Sequence, residues 1–497
     1  MAVTPRLSAA VLATRDVGRG LEVLLVLRSP ALRFFGGYWA LPGGALDAED
    51  RDAALAGEPT DRELARCGLR ELFEETGCLA PGLERQLAEP LRAGLLENDA
   101  QAARAFRELL DGAPQALECV HPIGTRTTPA MAPVRFQTRF LQLSLEGAHE
   151  PHVIPGELAD AAWLRPEEIL QEWLRGERLV VPPVLAILTQ LRDMELEALL
   201  AAGPEVCSLR EGDAALAIRS TPGIAQVPLL TPTLPPATTT NCYVVGEAEL
   251  YVVDPATYEQ TERERLFALL DGLVERGARL AGVLVTHHHP DHVGSVAATA
   301  ERYDLPVYGH PLTLERLPEP VRDGRPLDEG SVLELGLAPD GSPEWKLEAM
   351  HTPGHDRGHL VFRESRYGAL IAGDLASTVS TILIEPPEGH LSTYLATLER
   401  MLQVDFGHLY PAHGPAARDG HGLLQRYLRH RAMRRSSLEK ALAELGPGAL
   451  MSFVPRVYAD LEPALHGMAG RSLQAGLEQL QEEGLAQLVD GKWSATD

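Results

Sequence analysis

The sequence predicts a multidomain α/β protein, and three observations carry that expectation. The chain has 497 residues, enough for two or three domains with sizeable cores. Strand-like apolar runs at 21–27, 241–253 and 280–285 alternate with helical patterns such as 262–275. Turn-forming breaks, Gly203-Pro204 above all, separate these patterns from one another. The expected domains are 1–203, 212–421 and 422–497.

The first unit opens with two strands and ends in an amphipathic helix after Pro182-Pro183, stopped at Gly203-Pro204. The apolar run 7–14 is followed at once by Arg15-Asp16 and a glycine turn, so it reads as one arm of a β-hairpin rather than a signal core. The second unit alternates strands and helices, as a layered fold does. The third ends in a helix over 472–483, then Gly484, then a short strand pair turned at Asp490-Gly491. Helix plus hairpin suggests a winged helix.

Composition narrows the function. Apolar residues make up 45% and charged residues 23%, a soluble globular balance. The net charge of −25 argues against a surface that coats nucleic acid. The acid is uneven: 421–497 carries nine Lys+Arg and nine Asp+Glu, so a neutral tail keeps RNA open as a partner while the acidic bulk disfavours it. The five cysteines are scattered and form no C-x-x-C, which fits a reducing cytoplasm rather than a disulfide framework. No run approaches the ~20 apolar residues of a membrane helix, so no membrane partner is expected.

The densest chemistry lies in Thr286-His287-His288-His289-Pro290-Asp291-His292-Val293-Gly294, directly after an apolar strand. Strand ends are where α/β sheets present ligand groups. Imidazole and carboxylate together suit Zn²⁺. Three later residues sit in similar settings: His355 in His351-Thr-Pro-Gly-His355, Asp374 in Ile371-Ala-Gly-Asp374, and His413 in Tyr410-Pro-Ala-His413-Gly414. This ordered set resembles the metallo-β-lactamase superfamily, whose signature is H-x-H-x-D-H followed by His, Asp and His. The resemblance implies an αββα sandwich with two zinc ions: His287, His289 and His355 on one, Asp291, His292 and His413 on the other, and Asp374 bridging. Such a pair activates water near neutral pH, and Asp291 would orient that water or accept its proton. Asp254, ending another strand, is either an outer carboxylate that orients a ligand or an ordinary turn residue. The stretch 351–431 looks like the glyoxalase II and lactamase-β-like endoribonuclease branch, linked to thioesters or RNA. The Arg-rich helix 426–435 is either a phosphate grip or a solvated face.

A second constellation is Arg70-Glu71-Leu72-Phe73-Glu74-Glu75-Thr76-Gly77. On a helix Glu71, Glu74 and Glu75 share one face, and clustered carboxylates repel unless a cation such as Mg²⁺ or Mn²⁺ lies among them. Gly77 caps the helix and Arg70 can orient a carboxylate. With Pro42-Gly43-Gly44 upstream, this resembles the Nudix box, G-x5-E-x7-R-E-U-x-E-E-x-G-U, which implies an α/β/α sandwich and catalysis by the glutamate trio. Counting from Gly44 the box places its Arg at 58, yet it stands at 70, so twelve residues are inserted. Counting back from Arg70 puts the box's first Glu at 62, where the chain has Arg62 and then Glu63. Leu24-Leu25-Val26-Leu27-Arg28-Ser29, Arg33, Gly37 and Pro42-Gly43-Gly44 look like the extra motif of coenzyme A diphosphatases. That likeness implies substrate contacts from Arg28, Arg33, Gly43 and Gly44, while Arg28 and Arg33, like Arg135 and Arg139 in the stretch 128–140, read equally well as surface charges.

Together these readings predict a hydrolase with two centres. A Mg²⁺- or Mn²⁺-dependent Nudix unit would act on a nucleoside-diphosphate or coenzyme A type substrate. A two-zinc unit would hydrolyse a thioester or phosphodiester. The alternative is an RNA-processing endoribonuclease whose Nudix module senses nucleotides. The sequence leaves the substrates and the oligomeric state open.

Overall fold

The computed structural model describes residues 4–18, 20–32, 35–52, 58–132, 134–145, 150–204, 207–208 and 217–496. Two compact units divide at Pro222 and Gly223.

In the first unit the long strand Arg6–Asp16 lies at the centre of a mixed sheet. It runs parallel to Phe136–Ser144 and antiparallel to Leu21–Arg28 and Gly43–Ala45. Val120–Thr127, Leu158–Leu164 and the short Trp39–Ala40 complete the sheet. Alternate residues of the central strand face opposite ways, the period-2 rule of a strand. Ala9, Val11 and Ala13 pack with Leu69, Leu72 and Phe73 of the helix Asp61–Thr76. Ala10 and Leu12 pack with Ile169 and Leu170 of Pro166–Leu174 and with Leu185 and Leu188 of Pro182–Asp193. The result is an α/β/α sandwich. The single helix expected up to Gly203 is two helices, Pro182–Asp193 and Leu196–Ala202, broken where Met194 turns to extended backbone.

In the second unit two sheets pack face to face. One runs in the order Gly324–Pro326, Val307–Gly309, Arg279–Leu284, Glu249–Val253, Thr239–Gly246 and Ile224–Leu230. The other runs Val332–Gly336, Trp345–His351, Leu360–Glu364, Leu370–Gly373 and Leu409–Pro411. Tyr243, Val245, Tyr251 and Val253 from the first meet Trp345, Leu347, Phe362 and Ile371 from the second in one apolar core. Val296 and Ala300 of the helix Val296–Tyr303 cover one outer face, and Tyr394, Leu398 and Met401 of Leu391–Met401 cover the other. This is an αββα sandwich.

The chain then forms the helices Gly420–Leu445, Leu450–Val457 and His466–Glu482 and the hairpin Ala486–Val489/Lys492–Ala495. Asp490 and Gly491 both take positive φ (51° and 74°), the conformation a two-residue hairpin turn requires.

Candidate metal centre

In the second unit the chemistry-bearing residues gather at the ends of strands. Arg279–Leu284 leads into His287, His289, Asp291 and His292. Trp345–His351 leads into His355, Leu370–Gly373 into Asp374, and Leu409–Pro411 into His413. Short loops after strands bring side chains from far apart in the chain to one edge of the sandwich. All seven residues singled out from the sequence meet there, in interlocking groups whose ligand atoms lie within 4.8 Å of one another: His287, His289 and His355; Asp291, His292 and His413; and Asp374 with His287 and His292.

The distances resolve two sub-sites. His289 Nδ1 lies 3.0 Å from both His287 Nε2 and His355 Nε2. His413 Nε2 lies 3.5 Å from Asp291 Oδ2. Asp374 stands between, with Oδ2 3.4 Å from His355 Nε2 and Oδ1 3.3 Å from His413 Nε2 and 3.7 Å from His292 Nε2. Ligand atoms at the corners of a tetrahedron around Zn²⁺ stand about 3.3 Å apart, close to these spacings.

Hydrogen bonding fixes which nitrogens face inward. His355 Nδ1 lies 2.8 Å from the Leu383 carbonyl and His413 Nδ1 3.0 Å from the Thr239 carbonyl. A carbonyl only accepts, so each Nδ1 carries a proton and each Nε2 is the nitrogen turned to the centre. Two buried atoms that face each other there, His292 Nε2 and Asp374 Oδ1, have no hydrogen-bond partner. Buried polar atoms brought together without a partner suit a cation. Burial, and then His355, hold the His289 pKa down to about 3, so it stays a neutral donor of electrons. Burial opposes charge on His292, yet Asp254 and Asp374 outweigh it and raise its pKa to about 9. That side of the centre therefore favours positive charge, which a divalent ion supplies as well as a proton.

The surrounding groups are equally specific. Asp254 is buried, at positive φ (47°), and its carboxylate accepts from Thr286 N–H (2.8 Å) and Thr286 Oγ1 (2.6 Å) and meets His292 Nδ1 at 2.8 Å. Of the two readings of Asp254, the geometry favours the orienting carboxylate. Sequence reasoning missed His359. Its buried ring accepts from the Asp374 N–H at 3.0 Å through Nε2 and meets Thr352 Oγ1 at 2.7 Å through Nδ1. The signal was there, a further histidine four residues after His355, but no spacing rule distinguished it. It also missed the pair His288 Nδ1–Asp356 Oδ2, 2.9 Å, which links the loop of His287 and His289 to that of His355.

The helix 426–435 does not offer its inner arginines to phosphate. Arg431 donates to the Ile382 carbonyl, Arg434 binds Asp460 (2.7 Å) and Arg435 binds Glu439 (2.9 Å) and Glu483 (2.5 Å).

In the first unit the helix Asp61–Thr76 starts at Thr60 and ends at left-handed Gly77 (φ 70°). It presents Glu71, Glu74 and Glu75 on one face. Gly43 N–H donates to Glu75 Oε2 at 3.0 Å. A Cβ on Gly44 would fall 2.5 Å from the Glu71 carboxyl carbon, so only glycine lets that carboxylate approach the backbone. Burial, against the opposing charge of Arg70, raises Glu71 and Glu74 to about 7; repulsion from Glu74 adds at Glu71 and repulsion from Asp47 and Glu157 adds at Glu74, while burial and then Glu71 raise Glu75 well above its ordinary value. Arg70 is buried and binds Asp50 through two bonds, Nε–Oδ1 3.0 Å and Nη2–Oδ2 2.9 Å, while reaching Glu71 (3.0 Å) and Glu74 (3.3 Å).

This geometry relocates the box's first acidic residue. Counted forward from Gly44 it falls on Asp50, which pairs with Arg70, and the insertion lies between the two. Glu63, the nearby candidate, is buried and serves its own helix, capping it at Thr60 N (2.8 Å) and holding Asp52 N (2.8 Å). Arg28 ends the strand Leu21–Arg28, and its charge acts on Glu75. Arg33 lies outside the described residues. Arg135 Nε donates to the Thr128 carbonyl (2.9 Å) and Arg139 pairs with Asp61 (3.1 Å).

Fold and geometry define a metal-dependent hydrolase that joins two hydrolytic folds in one chain. Residues 4–182 match the NUDIX domain, 235–413 the metallo-beta-lactamase superfamily and 449–493 the beta-lactamase associated winged helix domain, and the chain belongs to both hydrolase families over those stretches. The Beta-lactamase-like protein 2 homolog of Caenorhabditis elegans is 27% identical over 253 residues, which cover 50% of this chain and 80% of that one. An atrochrysone carboxyl ACP thioesterase of Cryptosporiopsis sp. (strain 8999) is 29% identical over 251 residues, 49% of this chain and 71% of that one. A solved beta-lactamase domain protein from Burkholderia ambifaria aligns with a TM-score of 0.50 at 19% identity, over 56% of this chain and 93% of that one, a likeness of fold. No helix among the described residues is long and apolar enough to cross a membrane.

Proposed function

We propose that the lactamase-type centre carries two Zn²⁺ and hydrolyses thioesters, and that the Nudix-type centre uses Mg²⁺ or Mn²⁺ to cleave a nucleoside-diphosphate-linked substrate of the coenzyme A class. The observation that carries the first half is Asp374, one oxygen turned to the His355 side and the other to His292 and His413. Its placement supports a bridging ligand between His287, His289 and His355 on one ion and Asp291, His292 and His413 on the other. The thioesterase among the relatives supports the choice of ester. Five free cysteines support a reducing, cytoplasmic setting.

Two ions held there would make water nucleophilic near neutral pH and would stabilise charge developing on a carbonyl oxygen. The chain does the rest. His287 and His289 stay neutral, Asp254 fixes the ring of His292, and the partly exposed Asp291 carboxylate orients the attacking water or takes its proton. In the Nudix unit Glu71, Glu74 and Glu75 would hold the cation and position water. Arg70 and Gly43 N–H aim the carboxylates, and Gly44 and Arg28 face the diphosphate.

The test is metal analysis of purified full-length protein with a panel of acyl thioesters, coenzyme A and single-stranded RNA. Thioester hydrolysis lost in His289→Ala, with Mg²⁺-dependent release of 3′,5′-ADP from coenzyme A lost in Glu75→Gln, is the expected result. RNA cleavage lost in His289→Ala, with thioesters inert, would establish RNA processing instead.

A further inference from the structure

The segment between Asp374 and the helix Leu391–Met401 touches the metal centre and is gripped from outside by the C-terminal helix Gly420–Leu445. Two residues of that helix do the gripping, Tyr427 and Arg431, four apart and therefore on one face. Both are buried. The Tyr427 hydroxyl accepts from Ser377 N–H (2.8 Å) and donates to the Ser380 carbonyl (2.8 Å). Ser377 Oγ in turn donates to the carbonyl of His413 at 3.1 Å. Arg431 donates to the carbonyl of Ile382, and the next carbonyl, Leu383, is the one that fixes His355 Nδ1 at 2.8 Å. The same guanidinium lies 5.6 Å from the ring centroid of Tyr394, whose hydroxyl donates to the carbonyl of Leu375 at 2.7 Å, one residue after Asp374.

One helix face thus acts on the backbone beside three of the seven inward-facing groups: His413 through Ser377, His355 through Ile382-Leu383, and Asp374 through Tyr394 and Leu375. A buried guanidinium is costly to desolvate, so its place here needs contacts that hold it. We propose that Tyr427 and Arg431 are positioning residues of the metal centre, so that the C-terminal helix sets the ligand geometry of the hydrolytic site as well as carrying the winged helix. The inference rests on reading His355, Asp374 and His413 as ligands. Groups that orient ligands from outside are worth roughly 10–100-fold in metal affinity.

The experiment measures zinc affinity by chelator competition and the visible spectrum of the Co²⁺-substituted full-length protein. The variants are Tyr427→Phe, Arg431→Met, Arg431→Lys and, as a control, Arg434→Ala, whose arginine binds Asp460 instead. Tyr427→Phe and Arg431→Met are expected to weaken zinc binding ~10-fold or more and to alter the cobalt bands. Arg431→Lys, which keeps a donor for Ile382, should regain part of the loss, and Arg434→Ala should match wild type. Tyr427→Phe removes one oxygen and keeps the ring, so it reads the effect even if Arg431→Met fails to fold. Unchanged affinity and unchanged cobalt bands in a folded Tyr427→Phe would overturn the inference. Wild-type protein that binds no zinc or cobalt would overturn the ligand reading beneath it.

Discussion

Asp254 Oδ2 meets His292 Nδ1 at 2.8 Å while Asp254 Oδ1 takes the backbone N–H of Thr286 at the same distance. One buried carboxylate therefore ties two strand ends together and fixes which nitrogen of His292 faces the centre. In Asp254→Asn one amide face would set a donor against a donor. Zinc affinity is expected to fall roughly 10–100-fold, with thioester turnover falling alongside and Nudix turnover unchanged. Chelator titration measures the first, and an unchanged titration would show that Asp254 is only a turn residue. Asp254→Ala goes further, because it strips buried donors of their acceptor at ~1–3 kcal/mol each, and a lower melting temperature is expected.

The Nudix carboxylates make a prediction about pH. Burial raises Glu71 and Glu74 from 4.5 to about 7. A carboxyl whose folded pKa is raised holds its proton more tightly when folded, so folding is favoured at low pH and loses stability as pH rises. In chelator the unfolding temperature of the first unit should fall between pH 4.5 and about 7. Added Mg²⁺ or Mn²⁺ should flatten that slope, since a cation relieves the repulsion that a proton otherwise relieves. A flat profile in chelator would mean that the three carboxylates are already well solvated.

Much of this was legible in the sequence because the chemistry is local. His287, His289, Asp291 and His292 lie within six residues of chain, and Glu71, Glu74 and Glu75 within one turn and a half of helix. Residues whose role depends on a distant partner were harder to see. His359 acts on a backbone N–H fifteen residues on, through the antiparallel pairing of Leu360–Glu364 with Leu370–Gly373. The arginine-rich helix 426–435 could be read as a phosphate grip or a solvated face, because sequence shows charge and not the carbonyl and carboxylates that meet Arg431, Arg434 and Arg435. Asp50 was overlooked because the count was carried backward across an insertion, and aspartate stands where the pattern has glutamate.

Asp50 offers a direct check of that correction. It binds buried Arg70 through both oxygens, whereas Asp47, the other aspartate at that arginine, lies half in solvent. Removing one partner of a buried pair costs up to ~3–5 kcal/mol when the other charge is left alone, and Arg70 keeps Glu71, Glu74 and Asp47. Asp50→Ala is expected to destabilise the first unit in denaturant titration by less than that ceiling, and to lower Nudix turnover as Arg70 swings toward Glu71 and Glu74. Asp47→Ala should cost well under half as much. Equal losses would return the box's acidic position to doubt.

Gly44 tests whether the two centres work independently. A Cβ built there meets the Glu71 carboxyl carbon at 2.5 Å and both its oxygens within 2.6 Å, far inside van der Waals contact. Glu71 is also held by Arg70 at 3.0 Å, so it cannot move away without breaking that pair. Gly44→Ala should therefore displace one carboxylate of the trio while leaving the sheet strand Gly43–Ala45 in place, since the clash is with a side chain and not with backbone. Loss of a single hard oxygen ligand is expected to weaken Mg²⁺ or Mn²⁺ binding and cut pyrophosphatase turnover by about 10²-fold or more, a scale set by the sensitivity of catalysis to ~1 Å misplacements. Thioester hydrolysis by the same preparation should hold at the wild-type rate. Gly43→Ala is the contrast: its Cβ would lie 2.4 Å from the Ala9 carbonyl oxygen, a backbone atom that cannot yield, so that variant should lose stability before it loses chemistry. If Gly44→Ala kept full Mg²⁺-dependent activity, Glu71 would have to be removed from the catalytic trio. If it silenced both reactions in a folded protein, the two centres would have to be treated as one coupled machine.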